Sequence, residues 1–343
     1  MKKKIVFVIT KSELGGAQTW VNEHRKILEK DFDVFLITSE SGWLSDKFNN
    51  DSVFFIPSII KIFRLDSVFK ISSILKKIKA DVVISSSANA GLFSRLSKII
   101  YKHKSIYVSH GWSCLYNGGR FVWLLCFIEK VLSLITDEIL CVSKSDCEKA
   151  MSKIGIAKGK IKVIMNGITP LPNKEKVSDK KKILFVGRMT HPKRPDLLAE
   201  VVSNIPNVEL YYVGGGVYLN SLKENFSSNP NIFFLGELND FKSYYEYDVF
   251  VLSSDSEGLP MSGIEAGSAG LPIILSNVGG CPELIFNTEF GSNGLVFNNT
   301  YSELYSALCA VLKNYDRYYS SAQIAKSFFD INTRKDEIVK LLN

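Results

Sequence analysis

The sequence predicts an α/β protein built as two doubly wound parallel-sheet halves. Three observations carry that prediction. Short apolar runs recur along the chain with helical stretches between them, the pattern of parallel strands covered by helices on both faces. A break at Asn166-Gly-Ile-Thr-Pro-Leu-Pro172 leads into a run from Asn173 to Lys182 in which seven residues of ten are charged. A fresh apolar run, Ile183-Leu-Phe-Val186, then opens a second series. At 343 residues the chain also exceeds what one ordinary core supports.

In the first half the strands are expected at Ile5 to Ile9, Val34 to Ile37, Val53 to Ile56, Val82 to Ile84, Ile106 to Val108 and Ile139 to Val142. Residues 67–79 carry Val68, Phe69, Ile71, Ile74, Leu75 and Ile78 at helical spacing. Two prolines, a glycine and the charged run after them read as a hinge or linker and not as a core element. Strands of the second half are expected at Val208 to Val213, Ile232 to Leu235, Asp248 to Leu252, Ile273 to Leu275 and Leu295 to Phe297. The stretches 301–315 and 317–342 read as helices. The resulting expectation is a first domain of residues 1–167 and a second of 168–319, with residues 320–343 packing back on the first. No repeat of fixed short period occurs.

Composition narrows the function classes. A hydrophobic content of 46% with 22% charged residues is that of a soluble globular enzyme. Met1-Lys-Lys-Lys resembles the start of a signal peptide, but the apolar run that follows ends at Ile9 and Lys11 and Glu13 come at once, so it reads as a first strand. The most apolar segment, Phe121 to Ile135, is broken by Glu129 and Lys130, short of the roughly 20 uninterrupted residues of a spanning helix. The expected location is cytoplasmic. Cys114, Cys126, Cys141, Cys147, Cys281 and Cys309 form no C-x-x-C pair and read as reduced core residues. Residues 1–170 hold 26 Lys+Arg against 15 Asp+Glu, and the remainder 16 against 20. A basic first half suits nucleic acid, an anionic membrane or a polyanionic substrate, and no nucleic-acid-binding signature supports the first.

Chemistry concentrates on loops that follow strands. Leu14-Gly15-Gly16-Ala17 precedes a helix from about Gln18, where paired glycines and helix N–H groups suit a phosphate as well as they suit a plain tight turn. It is not G-x-G-x-x-G, and no P-loop occurs. Gly187-Arg188-Met-Thr-His191-Pro192-Lys193-Arg194 places three strong cations on one loop, whose repulsion an anion such as a diphosphate would relieve, with solvated surface charge as the alternative. Gly214-Gly-Gly216 reads as a turn and nothing sharper. His110 follows a strand, in Val108-Ser-His-Gly-Trp112, where a catalytic and a packing role weigh equally. Residues 253–276 read as strand end, loop, helix and strand, with Glu257 on the loop and Glu265 about a turn inside the helix. Ligands of open α/β sheets bind at that end, so the two carboxylates are candidates for gripping hydroxyls, against a base rate that favours solvated surface glutamates.

Together these residues carry a resemblance. Gly187-Arg188 with Lys193, Glu257-Gly258 and Glu265 with seven residues between the glutamates, Gly270-Leu-Pro272, and Val278-Gly-Gly280 with Pro282-Glu-Leu284 resemble glycosyltransferase family 4, retaining nucleotide-sugar enzymes of the two-domain GT-B fold. Gly15-Gly16, Val142-Ser143, Asn166-Gly-Ile168 and Asn293-Gly-Leu295 extend the likeness over nearly the whole chain. The resemblance implies two Rossmann-like domains facing a central cleft. It implies that Arg188 and Lys193 neutralise the donor diphosphate, that Gly15-Gly16 closes on the same phosphates, and that Glu265 binds the ribose. Glu257 and His110 would meet the transferred sugar, with the amides of Leu259, Met261 and Ser262 reaching its hydroxyls. No metal is implied, because Asp31-Phe-Asp33 stands before a strand and faces the wrong end of the sheet. Met261, Ser262 and Gly263 replace bulkier aliphatics and Arg194 replaces a frequent glycine, both changes touching donor-sugar selection.

The implied reaction moves a sugar from an NDP-sugar to a glycan or polyprenyl-diphosphate-linked acceptor, as in assembly of a bacterial surface polysaccharide such as O-antigen or capsule. Two other readings remain: a catalytically silent sugar-nucleotide-binding or assembly protein, and a GT-B sugar-nucleotide epimerase. A basic patch of Lys61, Arg64, Lys70, Lys76, Lys77 and Lys79 with Phe121, Trp123 and Phe127 reads equally as a surface for anionic lipid and as solvated lysines over core aromatics.

Overall fold

Seven strands of the first half, β1 (Lys4–Val8), β2 (Asp33–Thr38), β3 (Val53–Phe55), β4 (Val82–Ser85), β5 (Lys104–Ser109), β6 (Glu138–Cys141) and β7 (Ile161–Val163), pair in parallel in the order β3-β2-β1-β4-β5-β6-β7. They come from a computed structural model that describes residues 2–61, 64–116, 118–174 and 180–343. Every residue of β4 is buried, as is β1 after Lys4, so these central strands read as unbroken apolar runs because helices cover both faces. The order reverses between β1 and β4. Right-handed crossovers therefore diverge there and leave an opening at the carboxyl ends of those two strands.

The second half repeats the plan with six parallel strands, β8 (Lys181–Val186), β9 (Val208–Val213), β10 (Ile232–Gly236), β11 (Val249–Leu252), β12 (Ile273–Ser276) and, after a short antiparallel pair β13 (Asn287–Thr288) and β14 (Gly291–Ser292), β15 (Gly294–Phe297). Their order is β10-β9-β8-β11-β12-β15, so the reversal falls between β8 and β11. β11 and β12 are wholly buried, whereas β10 at the edge alternates between covered and exposed positions. Each half thus aims the loops after two adjacent central strands at one spot.

The chain forms two compact units, Met1–Asn166 with Arg334–Asn343, and Gly167–Thr333. It leaves the second unit beside where it entered: Ile168 N–H donates to Phe329 O at 2.9 Å and Ile331 N–H to Ile168 O at 3.0 Å. The Lys335–Leu342 helix belongs to the first unit, where Lys335 meets Asp31 at 2.7 Å and Lys3 donates to Asn343 at 2.8 Å. Asp31 and Asp33 lie at the amino end of β2, as expected.

The supposed linker is partly core. Residues 175–179 of the charged run lie outside the described residues, but Lys174 is buried and forms an ion pair at 3.2 Å with the fully buried Asp248, and Lys181 and Lys182 open β8. Asp248 also accepts the Lys182 N–H at 2.8 Å and the Tyr315 hydroxyl at 3.3 Å. A high count of charged residues marked the segment as solvated, yet one lysine found an aspartate that also anchors the start of β11.

Candidate functional site

In the second unit the loops after β8 and β11 are knitted together. Arg194 N–H donates to Ser253 O at 3.0 Å, Ser253 Oγ donates to Arg194 O at 2.6 Å, and Asp255 N–H donates to Pro192 O at 2.8 Å. Lys193 reaches across to form an ion pair with Glu257, both side chains mostly covered, and its chain passes the Gly187 turn. Ser276 and Asn299 hold the far side. Ser276 Oγ accepts the Ser254 N–H at 2.8 Å, while Asn299 Nδ2 donates to Ser254 O at 2.7 Å and to Asp255 Oδ1 at 2.9 Å.

The three-cation loop is resolved differently from the sequence expectation. Lys193 is answered by Glu257, and Arg194 by Asp196 at 2.9 Å and Asp255 at 3.8 Å. Arg188 is exposed and has no hydrogen-bond or ion-pair partner among the described residues. The uncompensated charge of the loop therefore narrows from three cations to this one guanidinium, one residue past Gly187.

Glycines shape the backbone around it. Gly279 has φ +54°, and a Cβ there would fall 1.8 Å from the Glu257 carbonyl oxygen, so Val278-Gly-Gly280 presses on the Glu257-Gly258 loop, with Gly280 N–H donating to Gly258 O at 2.7 Å. Gly214, at φ +133°, would place a Cβ 2.1 Å from Gly187 O. The triple glycine is thus more than a turn: Met189 N–H donates to Gly215 O at 2.7 Å, and the two loops share one wall.

Glu265 lies in the Met261–Ser268 helix with its side chain mostly covered, and accepts the Tyr244 hydroxyl at 2.6 Å. Burial, followed by the charge of Glu265, pushes the Tyr244 phenol well above its usual range, so the hydroxyl stays protonated and donates. Lys242 approaches the other carboxylate oxygen at 4.0 Å. Leu259 and Met261 are buried and Ser262 is half-buried; Met261 and Ser262 open the helix, where backbone N–H groups lack intrahelical acceptors.

Gly15, Gly16 and His110 lie in the first unit. Gly15 is extended and precedes the Gly16–Leu28 helix, whose first turn carries no side-chain cap. His110 follows β5, with Nε2 2.7 Å from Ser86 Oγ and its ring edge-on to Trp20 at 5.4 Å. Desolvation, reinforced by His24, lowers His110 to about 3, so the imidazole is neutral at physiological pH. His24 stacks on Trp20 at 3.6 Å and is buried, which lowers it from 6.5 to about 3 against the opposing hydrogen bond to Trp20 O.

A folded-state value below the unfolded one for a histidine means that the unfolded chain binds more protons between the two. The contribution of His24 is complete above pH 6.5 and is lost as pH falls towards about 3. We expect stability to drop by up to about 1.4 kcal/mol per pH unit in that window from His24. His24→Gln should flatten the slope in urea midpoints measured between pH 4 and 7.

Residues 14–170 match the family model described as Glycosyltransferase Family 4, and residues 169–327 that described as Glycosyl transferases group 1. Over 329 residues the chain is 50% identical to the O-antigen biosynthesis glycosyltransferase WbnH of Escherichia coli, covering 96% of each. It belongs to glycosyltransferase family 4. The Escherichia coli UDP-Gal:alpha-D-GlcNAc-diphosphoundecaprenol alpha-1,3-galactosyltransferase is 31% identical over 83% of this chain and 82% of its own. Anabaena HepE in complex with UDP-glucose superposes with a TM-score of 0.83 over 99% of both chains at 17% identity, which shows the shared GT-B fold. This family member is therefore a glycosyltransferase with two Rossmann-like domains.

Reasoning from sequence passed over Ser86 beside His110 in the first unit, and Tyr244, Ser276 and Asn299 in the second. Ser86 carried a signal, since small polar residues ending an apolar run at a sheet reversal seldom serve packing. Tyr244 and Asn299 carried none, because their partners lie 21 and 45 residues away.

Proposed function

We propose that this chain is a retaining, metal-independent glycosyltransferase that moves a sugar from a UDP-sugar to a lipid-diphosphate-linked glycan during O-antigen assembly. The observation that carries the reading is Arg188, an unpartnered guanidinium among the described residues, on the same loop after β8 as Lys193, which pairs with Glu257 at the β8/β11 reversal. Support for the donor and acceptor classes comes from relatives: a UDP-galactose enzyme acting on a diphosphoundecaprenol-linked sugar, and an O-antigen transferase at 50% identity.

In this reading Arg188 and Lys193 face the diphosphate, Glu265, oriented by Tyr244, takes the ribose hydroxyls, and Glu257 meets the transferred sugar, aided by the amides of Leu259, Met261 and Ser262. In the first unit Gly15-Gly16 offers N–H groups suited to a phosphate, and His110 a hydrogen bond suited to a sugar hydroxyl. The bond from the anomeric carbon to the diphosphate breaks as the acceptor oxygen bonds on the same face, and the acceptor proton passes to the departing phosphate. Charge builds on that phosphate in the transition state, where fixed cations act most strongly. Neutral His110 donates or accepts one hydrogen bond without bringing a second positive charge to an oxocarbenium-like sugar.

A panel of UDP-sugars offered with a diphosphate-linked lipid glycan in excess chelator tests it. Transfer with the anomeric configuration kept, read by NMR, is expected; inverted product, transfer only after divalent metal is restored, or no transfer from any donor overturns the corresponding part. Epimerised sugar nucleotide without transfer would favour the epimerase alternative. Glu265→Ala should raise the donor KM about tenfold or more with a smaller change in kcat, the mark of a contact made equally in ground and transition states.

A further inference from the structure

β4 and β5 are neighbours in the first sheet, and one step past the carboxyl end of each stands a polar residue, Ser86 and His110. Ser86 is fully buried, and its N–H donates to Val8 O at 2.9 Å, which fixes the backbone at the sheet reversal. Its Oγ lies 2.7 Å from His110 Nε2. Trp20, from the Gly16–Leu28 helix, meets the same imidazole at a ring angle of 74° and is itself braced by His24, stacked at 3.6 Å, and by Phe7 at 6.2 Å. A hydroxyl and an indole together hold the ring.

A hydroxyl brings one proton to such a pair and a neutral imidazole brings another, so two arrangements exist. If Nε2–H donated to Oγ, the Ser86 hydroxyl proton would need a second acceptor, and among the described residues it has none. Burial also denies that proton water, and a buried donor without a partner is costly. The other arrangement leaves nothing stranded. Ser86 Oγ–H donates to Nε2, and the imidazole proton sits on Nδ1. Nδ1 has no partner among the described residues and is not sealed in, His110 being half-buried.

From this buried hydroxyl against a half-open imidazole, we infer that Ser86 is a positioning residue: it donates to His110 Nε2, places the imidazole proton on Nδ1 and so makes His110 a hydrogen-bond donor to an oxygen of the transferred sugar. The inference rests on the reading of His110 as a sugar contact. A neutral donor suits that place, because it holds a hydroxyl oxygen without adding positive charge beside an oxocarbenium-like carbon. A serine 2.7 Å from a histidine also has the spacing of a nucleophile and its base. That role does not fit, since the buried hydroxyl cannot reach a reacting carbon and no third group among the described residues orients Nδ1.

The tautomer is read without donor or acceptor, so its failure leaves the transferase reading untouched. Full-length protein, isotope-labelled in the histidine ring nitrogens, is observed by long-range proton–nitrogen correlation NMR at neutral pH, the His110 signals being those lost in His110→Ala. The wild type is expected to carry the His110 proton on Nδ1. Ser86→Ala, which removes only the hydroxyl oxygen, should move that proton at least in part to Nε2. In transfer assays Ser86→Ala should lower kcat/KM for the donor about three- to tenfold, the worth of one neutral hydrogen bond. A serine that served packing alone would cost the same again in the His110→Ala background, whereas one that acts through His110 should add no further loss there. A wild-type proton on Nε2, a tautomer unchanged in Ser86→Ala, or losses that add in the double variant would overturn the inference. If no donor supports transfer, the proposed function falls, and the spectrum alone still decides whether Ser86 sets the tautomer.

Discussion

Arg188→Ala is expected to lower kcat by about a hundred- to a thousandfold while the protein unfolds at the same urea concentration to within about 0.5 kcal/mol. Two facts set those magnitudes apart. Arg188 is exposed and holds no partner among the described residues, so its removal leaves no buried group unpaired. The same lack of a partner means its charge is uncommitted before a donor arrives, unlike Lys193 and Arg194. A group that already holds the donor diphosphate and meets further negative charge as it departs acts on the transition state more than on the ground state. Single-turnover rates on saturating donor read the chemical step; a loss in KM alone would make Arg188 a binding residue, and no loss would remove it from the mechanism.

Asp248→Ala is expected to do the reverse, lowering the stability of the second unit by about 3–5 kcal/mol. Removing this carboxylate strands the Lys174 ammonium in a site where its side chain is 3% exposed, and deprives the Lys182 N–H and the Tyr315 hydroxyl of their acceptor. Burial, with Asp248 adding to it, pushes the Tyr315 phenol up, so that hydroxyl stays a donor needing an acceptor. Asp248→Asn keeps acceptor capacity and should cost less. Combining Asp248→Asn with Lys174→Met should recover part of the loss, because the stranded charge is then gone. Urea denaturation of the variants checks the order, and an alanine variant as stable as the asparagine one would contradict it.

Much of the fold was legible because burial on both faces of a parallel sheet forces unbroken apolar strands. Val82-Val-Ile84 and Ile273-Ile-Leu275 have no other comfortable place, and the Asn166 to Pro172 break does fall where one unit gives way to the other. β7 escaped because Ile161-Lys-Val163 is short and its last two residues are exposed at a sheet edge. The β13/β14 pair escaped because two-residue strands have no periodicity to read.

The site was legible in its residue types and not in its pairings. Glu257 and Lys193 stand 64 residues apart, and only the reversal between β8 and β11 brings them together. For that reason a loop with three cations looked like a vacancy for an anion, although two of the three had found carboxylates within the chain. Glycines were the converse case. Val278-Gly-Gly280 entered only as a motif, and the steric reason for Gly279, the carbonyl of Glu257 against its α-carbon, belongs to the folded loop.

In the proposed reading the β8/β11 reversal of the second unit grips the diphosphate of a nucleotide donor through Arg188. Calorimetric titration of the wild type and Arg188→Ala with UDP, UMP and uridine tests it most directly. The wild type is expected to bind UDP at least about tenfold more tightly than UMP, one charge-assisted contact's worth, and Arg188→Ala to abolish that preference while binding uridine unchanged. Equal affinity of the two proteins for UDP, with the preference over UMP intact in the variant, would contradict it.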